Sequence, residues 1–228
     1  MDLTMMATHT IPFIFIAGYM MYPTQLRINA TALYYLSVLH NSALIAMSAW
    51  AVISLGQIAY EDGLAIESMY YFKNPKFDRI IFWVYMSKYY EFGDTFLLYL
   101  NGRKPIFLQK FHHIGAVICW HLSYYYKVDA VGMSSLLNCF VHTIMYTYYL
   151  GSLLKIKQVK LIKPYITGMQ ISQFIMGLSC AYQYRPPVET AFNHVIVMIC
   201  AAYTTCVLLL FGQFYYVTYI AVKDRKKV

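Results

Sequence analysis

The sequence predicts an all-α membrane protein: seven transmembrane helices enclosing a polar chamber. Three observations carry the helical part of this prediction. Of the 228 residues, 60% are hydrophobic and only 12% are charged, about half the charged share of a typical soluble domain. The apolar residues fall into seven separate runs, each near or above the roughly 20 residues a helix needs to cross the hydrocarbon core. The runs are continuous rather than alternating, so they suit helices and not barrel strands, and lipid leaves no other way to satisfy a spanning backbone. The composition excludes a disordered chain, a disulfide-rich secreted domain and an ordinary cytosolic enzyme.

The first segment, Met5–Tyr22, is short and stops at Tyr22-Pro23, where the residue before proline is steered out of the helical region. It has no basic n-region, which argues against a cleaved signal peptide. The second segment is Ala30–Ile58. The third, Ile80–Leu100, follows Lys73-Asn74-Pro75 and ends at Asn101-Gly102-Arg103-Lys104-Pro105, a cluster of breakers and charge. The fourth, Ile106–Tyr126, begins directly after that proline and is joined closely to the fifth, Ala130–Leu154. The sixth, Ile162–Tyr184, carries Lys163-Pro164 at its start and is separated by Arg185-Pro186-Pro187 from the seventh, Thr190–Val222. No internal repeat or low-complexity tract divides residues 1–228, which read as one domain.

The formal charge of +8 would suggest nucleic acid in a soluble protein. Here its placement writes topology. One set of connectors holds Arg27, Arg103, Lys104, Lys110, Lys155, Lys157, Lys160, Lys163, Lys223, Arg225, Lys226 and Lys227. The other holds only Lys73, Lys76, Arg79, Lys127 and Arg185, together with Asp2, Glu61, Asp62, Glu67, Asp78, Asp129 and Glu189. The C-terminus is therefore expected in the cytosol and the N-terminus on the far side. The five cysteines (119, 139, 180, 200 and 206) all lie in apolar segments and read as small packing residues rather than as a disulfide or metal set.

Four polar stripes interrupt the spans, and polar residues in lipid are costly enough to need a reason. Lys88, Glu91 and Thr95 share a helix face, with Asp94 beside them. Gln109 lies one turn before His112 and His113 and can hydrogen-bond either; the two adjacent imidazoles point about 100° apart, so they cannot act on one point. Asn138 and His142 are one turn apart, which lets the amide hold one imidazole nitrogen and set its tautomer; Met145, Tyr146 and Tyr149 continue that side. Thr167, Gln170 and Gln173 form the last stripe. The first stripe also has a purely structural explanation, a self-compensating buried ion network. His40, His121 and His194 read as helix–helix hydrogen-bonding residues.

Taken in order, these stripes resemble the motifs of the ELO family of very-long-chain fatty acid elongases: K-x-x-E-x-x-D-T at Lys88 to Thr95, the histidine box at Gln109 to His113, N-x-x-x-H-x-x-M-Y-x-Y-Y at Asn138 to Tyr149 and T-x-x-Q-x-x-Q at Thr167 to Gln173. Leu210-Phe211-Gly212-Gln213-Phe214-Tyr215 is similar to a further family run, and Pro23, Leu26, Arg27, His40 and Asn41 look like the family's entry to its second span. Gln109 stands where the box often begins with His. The tail Arg225-Lys226-Lys227-Val228 is similar to a dilysine retrieval signal, with Arg in place of its first Lys.

The resemblance implies an acyltransferase of the endoplasmic reticulum membrane, a 3-ketoacyl-CoA synthase. It would condense a long-chain acyl-CoA with malonyl-CoA and release CO2 and CoA. Acyl-CoA and malonyl-CoA enter as substrates; no cofactor or metal is implied, and no Rossmann fingerprint is present. The catalytic set implied is His112, His113, His142 and Asn138. Lys88, Glu91, Asp94, Thr95, Gln109, Met145, Tyr146, Tyr149, Thr167, Gln170 and Gln173 would contact or support the substrate. His112 is the expected nucleophile and His142, held by Asn138, its partner. Arg103, Lys104, Lys155, Lys157 and Lys163 are available for CoA phosphates, and Tyr and Met side chains for lining the acyl tunnel that the resemblance implies. Candidate partners are the bilayer, the reductases and dehydratase of the same cycle and a second copy of the chain, with no nucleic acid. Two other readings compete. A di-iron desaturase or hydroxylase uses histidine boxes, but only three of the seven histidines lie in the motif region. A seven-helix transporter or receptor would favour helices broken at mid-membrane, whereas Gly and Pro here cluster at span ends.

Overall fold

A computed structural model describes residues 3–20, 27–62, 71–184 and 191–221, with side chains of the first helix described from His9 onward. Pro23, Leu26, Glu67, Arg185, Pro186, Pro187, Glu189 and the terminal charges Asp2, Lys223, Asp224, Arg225, Lys226 and Lys227 lie outside these residues.

Among the described residues eight α-helices succeed one another: α1 (Leu3–Met20), α2 (Ala30–Asp62), α3 (Pro75–Tyr90), α4 (Phe92–Leu100), α5 (Phe107–Tyr125), α6 (Val131–Leu153), α7 (Lys163–Gln183) and α8 (Phe192–Tyr215). Among the described residues there is no strand. Short 3₁₀ turns cover Tyr71–Lys73 and Lys157–Ile162, and one π turn, Tyr216–Ile220, extends α8.

The expected boundaries hold to within a few residues, except in the third segment. That segment starts at Pro75 rather than Ile80, because Asn74 caps it: its side chain accepts the Lys76 N–H at 2.9 Å. Pro75 occupies the first turn, where its missing N–H costs nothing, and Asp78 sits against the positive end of the helix. The charges of this first turn had hidden the helix from hydropathy. The same segment is also interrupted at Glu91, which separates α3 from α4. The Glu91 N–H still bonds Ser87 O at 2.8 Å, but Asp94 N–H bonds Glu91 O at 3.1 Å, a tighter three-residue spacing. The expectation of unbroken spans fails at this point, and it fails inside the Lys88–Thr95 stripe.

Three helices end alike. Gly102, Lys127 and Lys155 have φ of 68°, 53° and 59°, and each follows a helix whose last carbonyls are taken up by the residues after it. After α4, Arg103 N–H bonds Leu98 O (2.9 Å); after α5, Val128 N–H bonds Ser123 O (2.8 Å); after α6, Ile156 N–H bonds Gly151 O (3.0 Å). This left-handed cap usually takes glycine. Lys127 occupies it while its ammonium lies over the rings of Tyr124 (4.0 Å) and Phe72 (4.9 Å) and pairs with Asp78.

Packing centres on α2, α3 and α6, where Ala51, Leu55, Ile81, Val84, Val131 and Cys139 are buried together. A second cluster joins Leu44, Met145, Tyr146 and Ile166, and a third joins Val128, Tyr184, Ile196 and Val197. The outward faces are the reverse of a soluble protein: Phe13, Leu39, Trp83, Phe140, Ile175 and Leu209 are exposed, while Lys88, Glu91, Asn138 and His142 are buried. Ala30–Asp62 and Phe192–Ile220 are long and apolar enough to cross a bilayer.

Candidate functional site

Lys88 is 2% exposed, an unusual position for an ammonium. Its Nζ donates to Glu91 Oε1 and to Asn138 Oδ1, each at 2.6 Å, and lies 4.8 Å from the centroid of the Trp120 ring. The Trp120 indole in turn donates to Ser135 Oγ at 3.0 Å. An ammonium has only donors, so it fixes which end of the Asn138 amide faces it. The amide NH2 is thereby turned to His142, with Nδ2 3.2 Å from Nε2. His142 Nε2 must then be the acceptor, and the neutral ring carries its proton on Nδ1. That nitrogen lies 3.4 Å from Glu91 Oε1. Lys88, Asn138, His142 and Glu91 thus close into one ring of contacts joining α3 to α6, with the tautomer of His142 determined by the lysine one residue away.

Asp94 anchors a second group. Its carboxylate meets His40 Nε2 at 2.9 Å, accepts the Tyr146 hydroxyl at 2.7 Å and lies 3.9 Å from His113 Nε2. His40 stacks on Tyr90 and reaches Asp94 across Gly93. A Cβ at Gly93 would come within 2.7 Å of His40 Cε1. Tyr146, fully buried, also places its ring edge-on to His142 at 5.4 Å and to Tyr149 at 5.9 Å.

The two histidines of the box do face different points. His113 is buried toward Asp94 and Phe92, and its Nδ1 has no hydrogen-bond partner among the described residues. His112 is half-buried and lines a cavity of about 260 Å³. Phe174 and Phe211 each set a ring edge against it at 6.2 Å, so the Leu210–Tyr215 run reaches the site through Phe211. The cavity continues past Asn138, Gln173 and Leu137 to Tyr71, Val128 and Asp129. Measured along α5 from His112 to Ser123, both of which line it, that path is about 16 Å at 1.5 Å per residue. Its lining is largely aliphatic and small, with Cys119, Cys180 and Cys200 among Leu, Ala and Gly residues; Tyr71, Tyr203 and Met133 are the expected Tyr and Met contributions. Asp129 lines the cavity beside Tyr71 and is buried, not a solvated connector charge. Its two carboxylate oxygens accept the N–H groups of Tyr71 (3.2 Å) and Phe72 (3.3 Å).

Gln109 does not bond either histidine. It donates to Thr95 Oγ1 at 3.1 Å, and Thr95 also bonds Tyr19 Oη at 2.8 Å, so this residue ties α1, α4 and α5 together. In the last stripe, Thr167 meets Tyr219 Oη at 3.3 Å, Gln170 donates to Met145 Sδ at 3.3 Å and Gln173 lines the cavity. All fifteen sequence-selected residues therefore have a place in or against one connected region. Sequence reasoning missed Tyr19, Trp120 and Tyr203, which contribute a single polar atom each from otherwise apolar surroundings. It set His40 aside, although the neighbouring Asn41 and its place at the head of α2 were visible. His121 is a helix–helix contact, as expected: it bonds His9 Nδ1 (3.0 Å) and Tyr85 Oη (2.9 Å). Among the described residues no group of three or more His, Cys, Asp or Glu side chains is placed to share a metal ion.

The chain is similar in sequence to several fatty acid elongases. A fatty acid elongase, sre1, of Dictyostelium discoideum is 34% identical over 148 residues, covering 62% of this chain and 54% of the relative. A very long chain fatty acid elongase of Aedes aegypti is 30% identical over 204 residues, 83% of this chain and 56% of the relative. Very long chain fatty acid elongase 3 of Homo sapiens is 32% identical over 151 residues, 64% of this chain and 55% of the relative. The matched part is thus little more than half the length of these relatives. No solved structure matches. The family model described as ELO (GNS1/SUR4) matches residues 4–227, and with nearly every residue inside that match, the chain belongs to the ELO family.

Proposed function

We propose that this protein is a fatty acid elongase of the endoplasmic reticulum membrane, condensing a long-chain acyl-CoA with malonyl-CoA. It forms a single domain of seven spans around a polar chamber and an acyl tunnel, with the C-terminus in the cytosol. The observation that carries the proposal is the position of His112. It lines a largely apolar cavity while a second imidazole, His142, is locked in place nearby by Asn138, Lys88 and Glu91.

The chemistry runs in two stages. His112 attacks the acyl-CoA carbonyl; the carbon–nitrogen bond forms, the carbon–sulfur bond breaks, and CoA leaves as a thiolate that takes up one proton. This splits a difficult carbon–carbon bond formation into two easier steps. Malonyl-CoA then loses CO2, and the electron pair of the broken bond becomes an enolate. The enolate attacks the acyl carbon, and His112 departs as neutral imidazole. The apolar lining excludes water that would hydrolyse the acyl-imidazole. His142, whose Nδ1–H rests against Glu91 Oε1 at 3.4 Å, is the proposed partner that answers charge developing on the carbonyl oxygens, and His113 orients the box. No metal or organic cofactor has a role in these steps. Arg103, Lys104, Lys155, Lys157 and Lys163, exposed on the connectors after α4 and α6 and at the head of α7, receive the CoA phosphates.

Two measurements test the proposal. Purified protein supplied with labelled malonyl-CoA and a panel of saturated and unsaturated acyl-CoAs should place label in a product two carbons longer; no label with any of them sinks it. Incubated with acyl-CoA alone, wild-type protein should gain one acyl mass and His112→Ala none. An acylated His112→Ala protein would move the nucleophile elsewhere.

A further inference from the structure

Tyr203 lies on α8, in the apolar helix that contributes no motif to the site except at its end. Its hydroxyl is 2.6 Å from the backbone carbonyl oxygen of His112 and 3.3 Å from Nδ1 of the same residue. A carbonyl can only accept, so the phenol proton is committed to it. The phenol oxygen keeps its lone pairs, and they face Nδ1. Two acceptors facing each other would repel, so the contact is favourable only when Nδ1 carries the imidazole proton. A neutral imidazole protonated on Nδ1 has its free lone pair on Nε2.

We propose that Tyr203 is a positioning residue that holds His112 in the Nδ1–H tautomer and so makes Nε2 the nucleophilic atom. The assignment rests on the nucleophilic role of His112 proposed above and adds which nitrogen acts and what selects it.

The surrounding packing supports a built contact rather than a chance approach. Gly115 lies one turn after His112, and the Tyr203 ring rests directly on its bare backbone; a Cβ there would overlap the ring. Phe111 packs on the other part of the ring at 5.6 Å. Tyr203 and His112 line the same cavity, so the hydroxyl stands beside the reacting group. The arrangement also helps after the attack. Acylation at Nε2 leaves the ring cationic, which makes Nδ1–H a stronger donor to the same phenol oxygen.

Acylation from acyl-CoA alone, followed by intact mass against time on the purified full chain, tests the role. Tyr203→Phe keeps the ring and removes the hydroxyl. It should slow acyl-enzyme formation by about tenfold to hundredfold, the range typical when the partner that orients an imidazole is lost, at an unchanged unfolding temperature. Gly115→Ala should slow it similarly by displacing the ring. The double variant should be no slower than the worse single, since both remove one hydrogen bond. Nitrogen NMR on isotope-labelled histidine reads the tautomer without substrate: His112 should carry its proton on Nδ1 in the wild type and lose that preference in Tyr203→Phe. A Tyr203→Phe protein that acylates at the wild-type rate, or a wild-type His112 protonated on Nε2, overturns the assignment. Wild-type protein that gains no acyl mass overturns the nucleophile itself, and the NMR result then decides the tautomer separately.

Discussion

Lys88 and His142 make no direct hydrogen bond, yet the lysine decides which nitrogen of the histidine carries the proton. The ammonium takes Asn138 Oδ1 at 2.6 Å, which leaves Asn138 Nδ2 to donate to His142 Nε2 at 3.2 Å. Asn138→Leu keeps the side-chain shape and cuts this relay. Incorporation of labelled malonyl-CoA is expected to fall by about tenfold to hundredfold, mainly in kcat, with the KM for acyl-CoA little changed because the amide does not reach the acyl tail.

The same lysine bears on stability. Lys88→Met leaves Glu91, 1% exposed, as a buried carboxylate without its cation. Breaking a buried pair in this way costs about 3–5 kcal/mol. Unfolding in detergent micelles should show that loss, and Lys88→Met with Glu91→Gln should recover a large part of it. Equal destabilisation in the single and double variants would mean the ion pair is not what holds α3 here.

His40 and Gly93 should behave as one unit. His40 reaches Asp94 at 2.9 Å only because Gly93 has no side chain in the way. His40→Ala and Gly93→Ala are each expected to lower elongation several-fold by loosening Asp94, and the double variant should add little to either. Steady-state rates for the three proteins check this, with independent multiplicative losses as the contrary outcome.

Cavity length should be adjustable from α7. Gly177 lines the cavity, and a Cβ placed there meets open space. Gly177→Leu therefore fills the path between His112 and Asp129 without displacing a neighbour. Product analysis by chain length should move to shorter acyl chains, with activity on the shortest accepted substrate retained.

The cap of α6 offers a test that separates stability from binding. Lys155 is exposed and held at φ 59°, a conformation costing a non-glycine residue about 1–2 kcal/mol. Lys155→Gly should raise stability by about 1 kcal/mol, seen as a higher unfolding temperature, while raising the KM for CoA substrates through the lost charge.

The histidine and amide spacings were legible because helical periodicity turns sequence distance into direction: Asn138 and His142 four apart, Lys88 and Glu91 three apart. The separate facing of His112 and His113 followed from the same geometry. What sequence does not encode is which helices become neighbours. Asp94 meets His40 and Tyr146, more than fifty residues away on either side, and Gln109 turns from its own helix to Thr95. Tyr203 carried no periodic signal at all, since the threonines after it return their hydroxyls to their own helix at Cys200 O and Ala201 O. The break at Glu91 was hidden for a similar reason: no proline marks it, and Gly93 just after it reads equally well as a residue that makes room for a neighbour.

The Tyr203–His112 contact links the eighth helix to the fifth, and its consequence is one of timing. During synthesis the histidine box emerges 91 residues ahead of its hydroxyl partner. Until α8 is threaded, His112 has neither that partner nor the Phe211 ring beside it. A ribosome-bound chain thus displays an imidazole that is not yet configured, and on the proposed nucleophile assignment reactivity would switch on only when α8 arrives. On that assignment, half-made copies in the membrane would be kept from acylating themselves by the order in which their pieces are delivered.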